Sequence, residues 1–384
     1  MSTQHGLSTH STAVTATRPR INKLSAGSGI FELSLPGDSS TNDKKSTYED
    51  ISSQSNQNQE KARFTTLSAA YPLKLLTPKP LLSTSSQPSN ISLLFTLSYG
   101  GGLVSGDVIS LKGEIGAGCG LVMLTQGSTK VFKRRKDGST STFNQNHAHN
   151  QTNINVGNGL EIETIQRLNI KLNSKSFLLL LPDSISPFKN SNYKQIQRFF
   201  LPKDKSASIL ILDWVNSGRG NSEGMSTKFN DINEKQKQER EIWSMNRYQS
   251  INEIYLGDKL IMRENMLLDN QNQNQNNGLK KIGSSKIAKN LAPYNVYTTI
   301  LFVGPKFRLL NDNLKIRNHN TTQYQIKSPD DLIWSFSELD LDLGSGIVRI
   351  ASKDIEQTRF WLRNLFDSSG FPDLVGEGIW PRCI

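Results

Sequence analysis

Four carboxylates stand in local settings that could do chemistry: Asp107 after Gly106, Asp183 after Pro182, Asp213 ahead of Trp214, and Glu241 two residues before Trp243. Their functional reading is a line of oxygen ligands that hold a divalent ion briefly while water completes its shell. Their structural reading is turn and cap chemistry, because an Asp after Gly or Pro commonly bonds its own turn. Both readings stand for Asp107 and Asp183; for Asp213 the structural one weighs more. Asp107 and Asp183 could also serve as a carboxylate pair in a hydrolase. Ser128 lies near Lys130, but no histidine is placed by motif to act as its base. The five histidines, His5, His10, His147, His149 and His319, all fall in polar tracts. His147 and His149 have the spacing to grip a metal from a strand, but they sit in an Asn/Gln/Ser/Thr-rich run, where such a pair is more often an accident of composition.

The carboxylates are surrounded by unusual backbone signals. Gly100, Gly101, Gly102 and Gly106 crowd the segment that ends at Asp107. Glycine supplies positive φ and close backbone approach. A phosphate-binding P-loop needs Lys-Ser/Thr after its last glycine, and Asp107 stands there instead. A dinucleotide fingerprint needs a helix after the glycines. Here Val108 to Ile115 alternates apolar and polar, as a half-buried strand does. Gly116 to Gly118 reads as a turn and Leu121 to Leu124 as the return strand, which makes a glycine-bent hairpin the simplest local picture.

Further strands are expected at Ile30–Leu35, Ala70–Leu76, Ile91–Leu97, Leu160–Ile165, Leu168–Leu172, Phe177–Leu181, Tyr193–Leu201, Ser208–Val215, Trp243–Asn265 with a turn at Gly257-Asp258, Tyr294–Val303 and Ser345–Ala351. The clearest helix covers Lys353–Phe366, with Ile355, Phe360, Leu362, Leu365 and Phe366 mostly on one face. The chain is therefore expected to be mainly β. Residues 1–28 read as a Ser/Thr-rich disordered tail; a mitochondrial transit peptide shares that composition but the helical pattern is weak. Polar insertions are read at 36–62, 137–155, 219–240, 269–288 and 311–330 within a single β domain over 29–384. Surface loops tolerate such inserts because closure entropy grows slowly with length.

Composition sets further bounds. Only 35% of the 384 residues are hydrophobic, and the mean hydropathy is −0.47. The deficit sits in the polar tracts, leaving a folded part of roughly 280–300 residues. The net charge of +11 comes from scattered Lys and Arg with one short cluster at 133–136. A nucleic-acid module shows a concentrated stripe and a motif, so a solvated basic surface or an acidic protein partner is the better reading. Cys119 and Cys383 have no metal-ligand spacing, which fits a reducing, cytoplasmic setting. Cys383 is second from the end, whereas prenylation needs the fourth. No apolar run approaches the ~20 residues of a membrane span.

Several motifs in order carry a resemblance: Gly100-Gly-Gly-Leu-Val-Ser-Gly-Asp107, Thr125-Gln-Gly-Ser-Thr-Lys-Val-Phe132, Ala70-Tyr-Pro-Leu-Lys-Leu-Leu-Thr-Pro78, Leu181-Pro-Asp-Ser-Ile-Ser-Pro-Phe188 with Tyr193, Leu212-Asp-Trp-Val-Asn-Ser-Gly-Arg219, and Trp243-Ser-Met-Asn-Arg-Tyr-Gln-Ser250. From about residue 29 to the C-terminus the chain resembles the urease accessory protein D family (H in some bacteria), in a eukaryotic, fungal-type form. The resemblance implies a β fold wound into a helix-like stack with few helices. It implies no enzymatic activity and no intrinsic cofactor. It implies a scaffold that binds apo-urease and, with accessory proteins F and G, supports GTP-driven insertion of nickel through an internal water-filled passage. Asp107, Asp183 and Glu241 are then the candidates for transient Ni²⁺ contacts. Gly100, Gly101, Gly102, Gly106, Gln126, Lys130, Gly218, Arg219 and Trp243 are the motif positions of structural weight. Many members have Gly-Glu before the Trp, where this chain has Arg240-Glu241 after a long insert.

Overall fold

The computed structural model describes residues 24–36, 61–78, 90–133, 163–218, 241–270, 286–320, 331–340 and 342–384. Most of the N-terminal tail, most of the insertions, Arg219, and His5, His10, His147 and His149 lie outside the described residues.

Strands dominate. In chain order they are β1 (Ser28–Ser34), β2 (Arg63–Ala69), β3 (Leu73–Leu76), β4 (Ile91–Ser98), β5 (Val108–Ile115), β6 (Gly120–Thr125), β7 (Thr129–Val131), β8 (Thr164–Leu172), β9 (Phe177–Leu180), β10 (Ile185–Pro187), β11 (Asn192–Leu201), β12 (Ser208–Asn216), β13 (Arg247–Leu256) and β14 (Lys259–Asp269). After the short helix α1 (Lys286–Leu291) come β15 (Val296–Val303), α2 (Arg308–Asn320), β16 (Leu332–Asp340), β17 (Ser345–Ser352), α3 (Ile355–Ser368) and α4 (Phe371–Val375). They form a seven-stranded sheet, β14-β13-β11-β8-β5-β1-β2, and a ten-stranded sheet whose main path is β16-β17-β15-β12-β9-β6-β4-β3.

From β4 to β13 the chain winds between the two sheets. β4, β6, β9 and β12 stack in parallel in one, and β5, β8, β11 and β13 in the other. Each turn of this coil lays one main strand on each sheet, with the short β7 and β10 added beside the ten-stranded one, which is the helix-like β stack the resemblance implies. The connections at Gly100–Gly106 and Gly116–Gly118 are therefore corners between sheets, not hairpin turns. Turn residues report a change of direction but not which strand the chain pairs with next. Gly102 shows why a corner needs glycine: a Cβ there would stand 2.5 Å from the Lys130 carbonyl oxygen, because Leu103 and Phe132 exchange backbone bonds across it with Lys130 and Leu103.

Alternation along β12 divides the core. Ile209, Ile211 and Val215 point between the sheets and join Leu111, Met123, Leu168, Ile170 and Phe199. Leu210, Leu212 and Trp214 point the other way, under Leu362, Leu365 and Phe366 of α3. Burial on both faces makes β9 and β12 read as continuous apolar runs. α3 is capped by Asp354, whose side chain accepts from the Gln357 N–H at 2.8 Å, an ordinary N-cap.

Several segments differ from the sequence reading: Arg63–Ala69 is a strand that it lacks, and the strands expected from Ala70 and Trp243 begin only at Leu73 and Arg247. The stretch read as a polar loop from residue 311 carries most of α2. Its asparagines lower helix propensity, but Leu310 and Leu314, one turn apart, are fully buried in the helix layer, and tertiary packing prevails. Leu332–Asp340 was not anticipated as a strand; it pairs antiparallel with β17 and places Trp334 at 5.4 Å from Trp361 of α3.

Candidate functional site

A cavity of about 50 Å³ opens between the sheets. That is room for on the order of a few waters. Its walls mix apolar residues, among them Leu111, Met123 and Leu168, with Thr125, Gln166, Gln195, Gln197, Asp183 and Asp213. The coil builds it by stacking polar side chains at inward positions of successive strands: Gln166 on β8, Gln195 and Gln197 on β11, Ser250 and Asn252 on β13.

Asp213 is the more buried of the two carboxylates in the lining. It is 8% exposed. Its Oδ2 accepts from Ser250 Oγ at 2.5 Å and Asn252 Nδ2 at 2.6 Å, and its Oδ1 accepts from Gln195 Nε2 at 3.4 Å. Gln195 also donates to Ser250 Oγ at 3.1 Å, and the Tyr193 hydroxyl donates to Gln195 Oε1 at 3.0 Å. Burial pushes the Asp213 carboxyl above the usual range; the bonds from Ser250 and Asn252 pull it down, and the Glu264 carboxylate pushes it up again. Burial and the Asp213 charge also raise the Tyr193 and Tyr248 phenols well above normal. The amide oxygens of Gln197 and Asn252 are buried without a protein partner, an arrangement that calls for water.

Asp183 is the more exposed carboxylate of the lining. Its backbone N–H donates to Thr125 Oγ1 at 2.8 Å, and its carboxylate accepts from Arg359 Nη2. On the far side of Asp213, Glu264 takes two bonds from Arg349, at 3.3 Å from Nε and 2.8 Å from Nη2. Arg349 follows in register from Asp213 through Thr299, and Glu264 faces Asn252. A polar layer thus crosses the sandwich.

The structure brings Asp183 and Asp213 to one cavity. It does not bring Asp107 or Glu241 into that lining. Asp107 Oδ2 accepts from the Val104 N–H at 2.8 Å and so closes its own glycine-rich turn; burial raises its pKa. Glu241 is half-buried, and its carbonyl lies against Gly218. Gly218 has φ +95° and its N–H donates to Asn216 Oδ1 at 3.0 Å. Trp243 is fully buried, with its indole N–H on the Tyr294 carbonyl at 3.2 Å. Gln126 and Lys130 are exposed on the corner around β7, and Gly100, Gly101 and Gly106 all have positive φ. Sequence reading missed Gln195, Gln197, Ser250, Asn252 and Arg359. The available signal was polar residues recurring every second position on strands whose inward neighbours are apolar.

Among the described residues no group of three or more His, Cys, Asp or Glu is placed to hold a metal. Both cysteines are buried, and burial pushes the Cys383 thiol up to about 12, so it is no nucleophile.

The class this geometry defines is a parallel β-coil protein with a polar, oxygen-lined cavity between its two sheets. A family model described as UreD urease accessory protein matches residues 50–378. Urease accessory protein 4 of Cryptococcus neoformans var. grubii is 50% identical over 322 residues, 84% of this chain and 90% of that protein. Urease accessory protein D of Oryza sativa subsp. indica is 27% identical over 68% of this chain and 67% of its own length. A ureD-like urease accessory protein of Schizosaccharomyces pombe is 28% identical over 79% of this chain and 88% of its own length. The chain belongs to the UreD urease accessory protein family.

Proposed function

We propose that this protein is a non-catalytic scaffold of urease maturation. It binds apo-urease in the cytoplasm and, with accessory proteins F and G, supports GTP-driven nickel insertion, the ion moving as cargo through the polar interior. The observation that supports the passage is a cavity whose lining includes both Asp183 and Asp213. Ni²⁺ held by one carboxylate, amide oxygens and water exchanges ligands readily, whereas imidazole and thiolate cages bind late first-row dications far more firmly. Family membership carries the link to urease. No helix among the described residues is long and apolar enough to cross a membrane. The hydrolase alternative needs Asp107 and Asp183 at one centre, and Asp107 is engaged in its own turn.

The test is deletion of the gene in a urease-producing cell, with urease activity and urease-bound nickel measured. Low activity with nickel-poor urease is expected, together with copurification of apo-urease with the tagged protein. Fully nickel-loaded urease in the deletion strain would refute the proposal.

A further inference from the structure

Asp183 does not stand free in the cavity lining. Arg359, on the second turn of α3, donates Nη2–H to its Oδ1. The guanidinium carbon lies 5.7 Å from the centroid of the Trp214 ring. That ring is fixed in turn, its indole N–H donating to the Pro182 carbonyl at 2.8 Å. Pro182, Asp183 and Trp214 all belong to the cavity lining, so the carboxylate that Arg359 holds is one of the lining groups.

The contact is single-pronged. Arg meets a carboxylate best with two parallel N–H bonds. Here the Nε–H is buried without a partner, and the side chain remains 35% exposed. α3 does not depend on it. The helix is capped by Asp354 and buried through Leu362, Leu365 and Phe366, and the next turn is tied down by Arg363 on the Trp380 carbonyl. Arg359 can therefore swing outward without disturbing the helix. A dication cannot share the Asp183 oxygens with a guanidinium, because two positive groups a few ångströms apart repel.

We infer that Arg359 governs which cations reach the cavity, by occupying Asp183 until an ion that binds carboxylate more strongly displaces it. The inference rests on the passage reading above. Weakly held monovalent ions do not displace the guanidinium, whereas a dication with high affinity for oxygen and nitrogen donors does. The closed state lowers apparent affinity by the fraction of time that Asp183 is free.

Equilibrium dialysis of Ni²⁺ against the purified full chain tests this, using wild type, Arg359→Gln, Arg359→Lys, Asp183→Asn and the Gln/Asn double variant. Thermal melting confirms that each is folded. A latch closed about nine-tenths of the time predicts a roughly ten-fold gain in Ni²⁺ affinity for Arg359→Gln. The gain should vanish in the double variant, and Arg359→Lys, which keeps the charge but cannot stack its plane on Trp214, should fall between. Excess K⁺ should weaken Ni²⁺ binding more in Arg359→Gln than in wild type. Equal affinity of wild type and Arg359→Gln overturns the latch; if Asp183→Asn still weakens binding, the passage survives. If no variant changes Ni²⁺ uptake, both the latch and the Asp183 ion contact fall, and urease activation in Asp183→Asn cells then shows separately whether the maturation role stands. A melting point lowered in Arg359→Gln with Ni²⁺ affinity unchanged marks an ordinary structural ion pair and also overturns the latch.

Discussion

Asp213→Asn separates what the buried carboxylate costs the fold from what it gives the site. The wild-type carboxyl has a folded pKa above the ordinary carboxylate value, chiefly because burial disfavours its charge. Between the unfolded and folded pKa values the native state binds more protons than the unfolded chain. The stability from that group is thus complete at acid pH and is lost as pH rises through the folded pKa. The loss amounts to about 1.4 kcal/mol for each unit by which the folded value exceeds the unfolded one. Asn keeps the shape and titrates nowhere. The ionisable groups around this site are Glu264 with its partner Arg349, Asp183 and Arg167 of the same cavity lining, and the Tyr193 and Tyr248 phenols, which stay neutral. Subtracting the wild-type curve from that of the variant cancels other groups, including Glu114 and Glu338, whose depressed values act in the opposite sense. The difference should turn in favour of Asn as pH climbs from about 4, then flatten. Urea unfolding at half-unit pH steps would show it, or melting points moving by roughly 3–6 °C for each such unit. In parallel, Ni²⁺ uptake and urease activation should fall, because one of the two carboxylates in the cavity lining is gone. A difference curve that is flat from pH 4 to 8, or that slopes the other way, would refute the account of Asp213 as a charge held against the cost of burial.

Two further substitutions probe the frame and the carboxylate assignment. In Gly113→Ala the new Cβ would stand 2.1 Å from Cζ of Phe31, a ring with no exposure. Overpacking of that kind costs about 1–3 kcal/mol, so a melting point lower by roughly 2–12 °C is expected, while an unchanged one would show that the ring has room to move. Asp107→Ala removes the acceptor of the Val104 N–H and should cost about 1 kcal/mol while leaving urease activation intact; strong loss of activation in a folded protein would return Asp107 to the metal route.

The sequence made the strand content legible because β5, β8 and β11 keep strict alternation, and β9 and β12 are apolar runs of strand length. It made the glycine corner legible as a backbone of unusual shape. It did not reveal that the corner leads from one sheet to the other, since parallel stacking depends on partners found one full coil later. The site was less legible still. Asp183 stood out because a proline precedes it, yet Asp213 sat in an apolar run and looked incidental. Its partners Gln195, Ser250 and Asn252 come from two other strands, and Arg359 from a helix 176 residues beyond Asp183. Local spacing cannot record pairings made by winding. What was visible, in retrospect, was polarity at alternate positions: Gln195 and Gln197 on one strand, Ser250 and Asn252 on another.

That polarity runs against stability. A buried carboxylate with amide partners is commonly no better for the fold than well-packed apolar residues of the same volume. A winding coil could fill every rung with Leu, Ile and Val, as it does around Leu111, Leu168 and Ile170 on one side of the polar layer. Instead one rung carries Asp213, Thr299 and Arg349 across one sheet and Asn252 with Glu264 across the other. The two halves are joined by the Asp213–Asn252 bond at 2.6 Å and the Arg349–Glu264 bond at 2.8 Å. The coil can hold such a rung because its backbone hydrogen bonds close within the sheets and leave the inward side chains free. A device for moving a hydrated ion needs this combination: a rigid wall that does not depend on the polar groups, and polar groups that exchange partners without loosening the wall. The rung and the cavity that Asp183 also lines meet at Asp213, so on the proposed role neutralising that one residue should lower nickel delivery more than it disturbs folding.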